Sequence, residues 1–221
     1  MKQQELNVDM TQRVVMSAEE LAWVPSPMPG VWRKQFERIE AESGRVTSIV
    51  RYDAGSSFRS HAHPIGEEIF VLEGVFSDEN GDYPAGTYLR NPPGSHHAPF
   101  SKEGCILFVK LDHFQAGDTQ CVVIRPGEQQ WLPGQGHLEV LPLHDYLGEH
   151  TSLVKWPKGE RFKAHQHWGG EEILVLDGEL SDEHGQYPRH TWLRSPHLSQ
   201  HNPFSDQGAL ILVKVGHLFI D

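Results

Sequence analysis

Cysteine is scarce in this chain of 221 residues: only Cys105 and Cys121 occur, with no C-x-x-C and no cysteine-rich cluster. A disulfide scaffold and a thiolate zinc finger therefore have little support. Cys105, inside the apolar run CILFVKL, reads as a small buried hydrophobe. Long hydrophobic runs are missing too, and nothing approaches the roughly 20 apolar residues that a spanning helix needs, so a soluble chain with no membrane partner is expected. The start, MKQQELNVDMTQ, lacks the apolar core and small-residue cleavage site of a secretory signal, and the expected location is cytoplasmic. Positive charge is short: 19 Lys and Arg against 30 Asp and Glu give a net charge of −11. That balance repels a phosphate backbone, so no nucleic-acid partner is expected. Long amphipathic helices are few. AEELAW can form one helical turn, and GVWRKQFERIEAESG is charged enough to resemble a helix. Its counterpart GQGHLEVLPLHDYLG carries Pro142 in mid-segment, which breaks a helix interior, so both segments are assigned to strand and loop.

What the chain does have is histidine, 15 residues of it, and an internal repeat. The stretch from Ser48 to Phe114, containing RSHAHPIGEEIFVLEG, aligns without a gap onto the stretch from Ser152 to Leu218, containing KAHQHWGGEEILVLDG. About half the positions are identical, a level that makes the two stretches one structural unit used twice. Upstream, QRVVMSAEELAW (from Gln12) resembles QCVVIRPGEQQW (from Gln120). Two homologous lobes follow, residues 1–117 and 118–221, with the boundary at QAGDT. Within each lobe, short alternating runs separated by Gly, Pro, Asn and Asp predict an all-β sandwich or barrel. In EIFVLEGVFSDENGDYPAGTYL, Asn80 and Gly81 are expected to supply the positive φ angles of a type I′ hairpin. The acidic residues Asp78, Glu79 and Asp82 lack EF-hand spacing and read as a solvated hairpin.

Side chains on a strand alternate between faces, so His61 and His63 share one side, as do His165 and His167. Two imidazoles so placed can hold one ion. Glu67 and Glu171 come from the next strand, and alternation allows only one of each adjacent pair, Glu67–Glu68 and Glu171–Glu172, to face a metal. Beyond the hairpin, His97 matches His201 whereas His96 matches Gln200, which selects His97. The remaining repeated residues read as structural: Arg90 and Arg194 as partners of Glu68 and Glu172 or as anchors for an anion, His113 and His217 as strand-end histidines, Trp23 and Trp131 as covers over an open lobe end.

The run Gly55, His61, His63, Glu67, Gly74 resembles the first cupin motif, and Gly86, Pro92, Gly94, His97 the second. In the second lobe Gly159, His165, His167, Glu171, Gly178, Pro196 and His201 match, while His190 and Leu198 replace two motif glycines, and Ser101 and Ser205 stand at the final Asn position. GEEIFVLEG, YPAGTYLRNPPGSHHAPFS and GCILFVKL are similar to the cupin lobe of ChrR-type zinc anti-sigma factors and to stand-alone cupins linked to acetylacetone cleavage. The resemblance spans nearly the whole chain, once per lobe. It implies a bicupin of two jelly-roll barrels (double-stranded β-helices). It implies a metal site in each: His61, His63, Glu67 and His97, then His165, His167, Glu171 and His201. The anti-sigma factors also carry an N-terminal helical domain with a His and Cys zinc site, but residues 1–28 hold neither residue type, so the likeness reaches the sensing lobe and not the sigma-binding part.

Three imidazoles and one carboxylate suit a divalent transition metal, zinc first, with iron, manganese or nickel as alternatives. Four ligands nearly close a tetrahedral zinc site, whereas an octahedral ion keeps positions open. Two functions are therefore expected from different classes. One is a stress- or ligand-sensing module, reading a small molecule or oxidant at the metal and passing the change to a protein partner. The other is a mononuclear non-haem dioxygenase acting on small dicarbonyl or dicarboxylate compounds. Exposed strand edges also allow a homodimer.

Overall fold

The computed structural model describes residues 5–39 and 44–218, and the 40–43 part of the IEAESG segment lies outside them. Among the described residues the one helical element is the 3-10 turn Ala18–Glu20, within AEELAW. None is long and apolar enough to cross a membrane. Everything else is antiparallel sheet and turn, in two compact units.

In the first unit the main sheet runs, edge to edge, Val122–Ile124, Tyr88–Asn91, Glu67–Asp78, Cys105–Leu111, Val46–Tyr52, Val31–Arg38, Val24–Pro25. The central strands form because CILFVKL and VTSIVRY are rich in β-branched and aliphatic residues that pack on a pleated surface. They pair in register Leu107 to Val50 and Val109 to Ser48. One face closes over a core of Val50, Tyr52, Ile69, Val71, Leu107 and Val109, each such side chain worth roughly 1.5–3 kcal/mol when fully buried. Strand Glu67–Asp78 serves two layers. Its first half pairs with Cys105–Leu111, and its second half pairs with Gly81–Pro84. The change of sheet falls at Gly74, with φ of 72° and the Gly104 carbonyl oxygen 2.2 Å from where a Cβ would stand.

The second unit repeats this jelly roll, in the order Val14–Ser17, Thr191–Ser195, Glu171–Asp182, Ala209–Val215, Glu149–Trp156, Glu139–Tyr146, Leu132–Pro133. Its core gathers Leu138, Val154, Trp156, Ile173, Val175 and Ile211. Both charged segments are strands as expected, and Pro142 sits where the register slips, a bulge that tolerates a missing N–H.

The division in space is not the sequence boundary at residue 117. Asp9–Glu20 belongs with the second unit, and the residues after 117 up to Gln129 belong with the first. The cause is pairing: Val14–Ser17 lies on Thr191–Arg194, and Val122–Ile124 lies on Tyr88–Arg90. Each repeat therefore sends its opening strand to the sheet of the other.

Three smaller expectations also change. The loop of the first hairpin is Glu79–Asn80 between paired Asp78 and Gly81, and of the turn residues only Gly81 has positive φ. The turn is not type I′; the Asp78 carboxylate accepts the Asn80 N–H at 2.7 Å and sets the bend instead. Asp78 is buried, so the acidic cluster is not simply solvated. Trp23 does not plug a barrel end: its ring takes the cations of Lys34 and Arg51, both at 4.8 Å, on the sheet face opposite to inward-facing Val50. Trp131 takes Lys155 at 3.7 Å.

His190 and Leu198, which replace motif glycines, hold the glycine conformation, with φ of 65° and 63° against 88° and 82° at Gly86 and Gly94. The loop geometry is kept at the cost of strain, roughly 1 kcal/mol or more per residue. Leu198→Gly is accordingly expected to raise the stability of the second unit by about 1 kcal/mol, read as an upward shift in its denaturation midpoint; an unchanged or lower midpoint would refute the strain.

Candidate metal centre

Register builds the site. The two-residue strands His61–Ala62 and His96–His97 pair antiparallel with His97 opposite His61. In the second unit His165–Gln166 and Gln200–His201 pair with His165 opposite His201. The first strand ends at Ala62, yet His63, in the following turn, still points to the same place. Its N–H is held by the Ser95 carbonyl and its own carbonyl accepts from Gly94, 2.9 Å each. Glu67 then opens the next strand.

In the first unit the three imidazole rings form a triangle with centroids 4.7–5.0 Å apart. Donor atoms of His61, His63, Glu67 and His97 all lie within 4.8 Å of one another. Glu67 Oε2 is 3.3 Å from His63 Nε2 and 3.4 Å from His97 Nε2. Ligand bonds of about 2.0–2.1 Å at tetrahedral angles span about 3.3 Å between donors, so these spacings fit one ion. The outer ring nitrogens are occupied. His61 Nδ1 donates to the Arg59 carbonyl at 2.9 Å, while His63 Nδ1 meets Ser95 Oγ at 3.1 Å and His97 Nδ1 meets Asp78 Oδ2 at 3.4 Å. This is the outer support that aims an Nε2 lone pair inward. The Nε2 atoms of His63 and His97 are buried without a hydrogen-bond partner, which an apolar interior leaves uncompensated and a metal would satisfy. His96 is exposed, whereas His97 is buried.

The second unit gathers His165, His167 and His201 within 4.8 Å. Glu171 Oε2 lies 3.5 Å from both His167 and His201 but does not complete a set with half-buried His165 at that limit. One difference is visible. Asn91 donates its amide to Glu67 at 3.0 Å, and the corresponding Ser195 is too short to hold Glu171 in that way. His167 and His201 meet Nε2 to Nε2 at 2.9 Å, a contact that requires a proton between them when no ion is bound.

The electrostatics suit metal binding. Burial, helped by the charges of neighbouring histidines, pushes His63 and His167 down to about 3. Both are neutral, ligand-ready imidazoles at ordinary pH. Burial pushes Glu67 and Glu171 up to about 7; a dry carboxylate needs a cation beside it. Burial outweighs the Asp78 contact and lowers His97. Burial also opposes charge on His201, but the Asp182 hydrogen bond and the charges of Glu171, Asp182 and Glu183 together raise it.

Asp78 and Asp182 escaped the sequence reading, although both stand at the same place in the repeat. Asp182 accepts from Tyr187 at 2.5 Å, from Arg13 at 2.9 Å and from two backbone N–H groups, and stands 3.6 Å from His201 Nδ1. Asp182→Asn is expected to weaken metal affinity at the second site by roughly 10–100-fold, measured by competition with a chromophoric chelator; full affinity would deny it a positioning role. Glu79 and Glu183 accept the N–H groups of Ala98 and Asn202, pinning the residue after each distal histidine.

The other repeated residues stay away from the two histidine clusters. Glu68 turns outward to Arg90, which also reaches Asp118 at 2.5 Å and stacks on Phe114 at 3.9 Å. Arg194 donates to the Asp9 carbonyl. His217 bonds Glu172 at 2.7 Å, and His113 meets the Val46 carbonyl at 3.1 Å. These histidines are structural, as their strand-end positions implied.

Two β-barrels in tandem, each opening on an imidazole and carboxylate cluster, define the bicupin class. Within it, the chain belongs to the ChrR cupin-like domain family, whose model matches residues 11–115 and again 119–219. No curated protein is similar to it in sequence. Among solved structures it resembles a putative dioxygenase from Nostoc punctiforme, at 14% identity and a TM-score of 0.78, over 95% of this chain and 84% of that one. It also resembles a bacterial pirin from Escherichia coli solved with nickel(II), at 17% identity and 0.71, over 92% and 98%. Oxalate decarboxylase of Bacillus subtilis matches at 12% identity and 0.66, over 94% and 78%. Identities this low show a shared fold.

Proposed function

We propose that this chain is a metal-binding sensory bicupin, in which each unit holds one divalent transition ion, zinc first, and reports a small ligand or stress to a protein partner. The observation that carries this reading is the donor cage of the first unit: buried Nε2 atoms of His63 and His97 lacking hydrogen-bond partners and 3.3–3.4 Å from one carboxylate oxygen. His61, His63, Glu67 and His97 would hold the first ion; His165, His167 and His201, with Glu171, would hold the second. When bound, such an ion supplies a fixed positive charge and a Lewis-acidic contact for an anionic ligand. The chain's own part is to keep Nε2 lone pairs aimed inward through Arg59, Ser95 and Asp78, and to keep the carboxylate in place through Asn91.

A second reading, a non-haem dioxygenase for small dicarbonyl or dicarboxylate compounds, is favoured by the cavity of about 340 Å³ that adjoins the first site. Elemental analysis of the purified protein, combined with oxygen uptake on a panel of diketones and dicarboxylates, separates the two. Stoichiometric zinc without oxygen consumption is the expected result. Iron with turnover would replace the sensory reading by the enzymatic one.

A further inference from the structure

The two units share their candidate ligand residues but differ in the side chains packed behind them. In the first unit the cavity of about 340 Å³ is bounded by His61, His63, Glu67 and His97 and by apolar side chains such as Val50, Ile69 and Leu107. Arg33, Arg38, Tyr52 and Asp112 also line it. Backbone register identifies their counterparts. Arg33 pairs with Val50, and Val140 pairs with Val154. Arg38 pairs with Val46, and Asp145 pairs with His150. Tyr52 pairs with Cys105, and Trp156 pairs with Ala209. The second unit thus replaces the two guanidinium groups by a valine and an acid, and the phenol by an indole. That indole is buried in an apolar cluster with Leu138 and Val140, its ring 5.9 Å from Phe162.

Charge decides what the first chamber accepts. Its lining supplies two cations, Arg33 and Arg38, against two acids, Glu67 and Asp112. A divalent ion at the histidine cluster makes the sum positive. Apolar walls leave that charge weakly screened, which favours an anion and penalises a cation. The volume lies at the low end of small-molecule sites, so the occupant is compact, and the aliphatic wall asks for an apolar body. Tyr52, buried in the same lining, brings the one phenol among these residues to the cavity.

We propose that the first unit alone is the ligand-binding unit, and that it takes a small organic carboxylate with an apolar body, for which Arg33 is the specificity-determining residue. This rests on reading the histidine cluster as a metal centre, and it deepens that reading by naming the ligand class. The second unit, with Val140, Asp145 and Trp156 in the corresponding places, keeps the candidate ligand residues without a guanidinium to receive the anion.

Fluorine NMR tests it with two isosteric probes, 4-fluorobenzoate and the neutral 4-fluorobenzamide, added to zinc-loaded full-length protein. The benzoate is expected to bind more tightly than the benzamide. Arg33→Gln should weaken the benzoate by about tenfold or more, the equivalent of one charge-assisted hydrogen bond, and leave the benzamide unchanged. Arg33→Lys should restore part of the loss. Tyr52→Trp, which installs the residue of the second unit, should remove benzoate binding while zinc content stays the same. Equal binding of the two probes to the unaltered protein, no binding of either, or an Arg33→Gln protein that keeps its benzoate affinity overturns the proposal; the first two need no variant to fold. Zinc uptake separates the two claims. A protein that takes up no zinc yet binds benzoate at full strength, and through Arg33, defeats the metal reading and leaves the anion chamber standing.

Discussion

Zinc added to the metal-free protein is expected to release protons near pH 6 and few near pH 8.5, and to release more at the second site than at the first. His63 and His167, held down to about 3, are already neutral at both pH values and have nothing to give up. Glu67 and Glu171, raised by burial to about 7, are protonated at the lower pH and must ionise to ligate. Apparent affinity should therefore fall about tenfold per pH unit below 7 at the first site, more steeply at the second, and level off at higher pH. At the second site His201 is raised as well, where His97 is lowered, so proton release there exceeds one at the lower pH. His201→Ala and His97→Ala isolate the two sites, and calorimetry in buffers of different ionisation enthalpy counts the protons. Release that is independent of pH would show that the carboxylates are not ligands.

The sign of the stability effect follows from the same groups. A carboxyl whose folded pKa is raised costs the metal-free fold stability as pH rises from the unfolded value of about 4.5 to about 7. An imidazole whose folded pKa is depressed gains the fold stability from about 3 up to about 6.5. Between about 4.5 and 6.5 the two nearly cancel, and the metal-free midpoint should be almost flat with respect to these groups. The zinc-loaded midpoint should instead climb with pH to about 7, so the gap between loaded and chelated protein widens and then levels off. A gap that narrows as pH rises from 5 to about 7 would be inconsistent with this assignment.

Gly74→Ala is expected to be among the most damaging single changes outside the sites, costing about 3–5 kcal/mol. The residue sits at φ of 72°, and the new methyl would meet the Gly104 carbonyl oxygen at 2.2 Å. Neither the positive φ nor a backbone atom at that distance can be relieved by a rotamer change. Gly178 has the same environment, with the Gly208 carbonyl at 2.1 Å, so Gly178→Ala should do the same to the second unit. Chemical denaturation reads both, and a loss under 1 kcal/mol would show that the strand can change sheets elsewhere.

The all-β class, the doubling and the clustering of His and Glu side chains were legible because each depends on local pattern repeated in register. His97 separated from His96 only because the second repeat offers Gln200 at the neighbouring position. Glu67 separated from Glu68 by strand alternation, and the structure sends Glu68 to Arg90. What stayed hidden depends on long-range partners. Nothing in VVMS or VVI says whose sheet edge it will join, so the crossing of Val14–Ser17 and Val122–Ile124 was invisible. Asp78 and Asp182 look like turn residues in a polar hairpin, and their burial beneath a histidine of the cluster appears only when the strands are assembled. Asn91 against Ser195, the difference that holds Glu67 and not Glu171, is one polar residue for another in the alignment.

The crossed opening strands carry a practical consequence for anyone dissecting the chain. A gene cut between the repeats would yield two fragments, each missing an edge it needs and bearing one that fits elsewhere. The fragment from residue 118 onward would lack Arg13, and with it the guanidinium that braces Asp182. Co-expressed halves should reconstitute by complementation, whereas either half made alone should aggregate through its bare strand. The repeat is a unit of ancestry and of alignment, but a cut at its boundary does not follow the compact units of the fold.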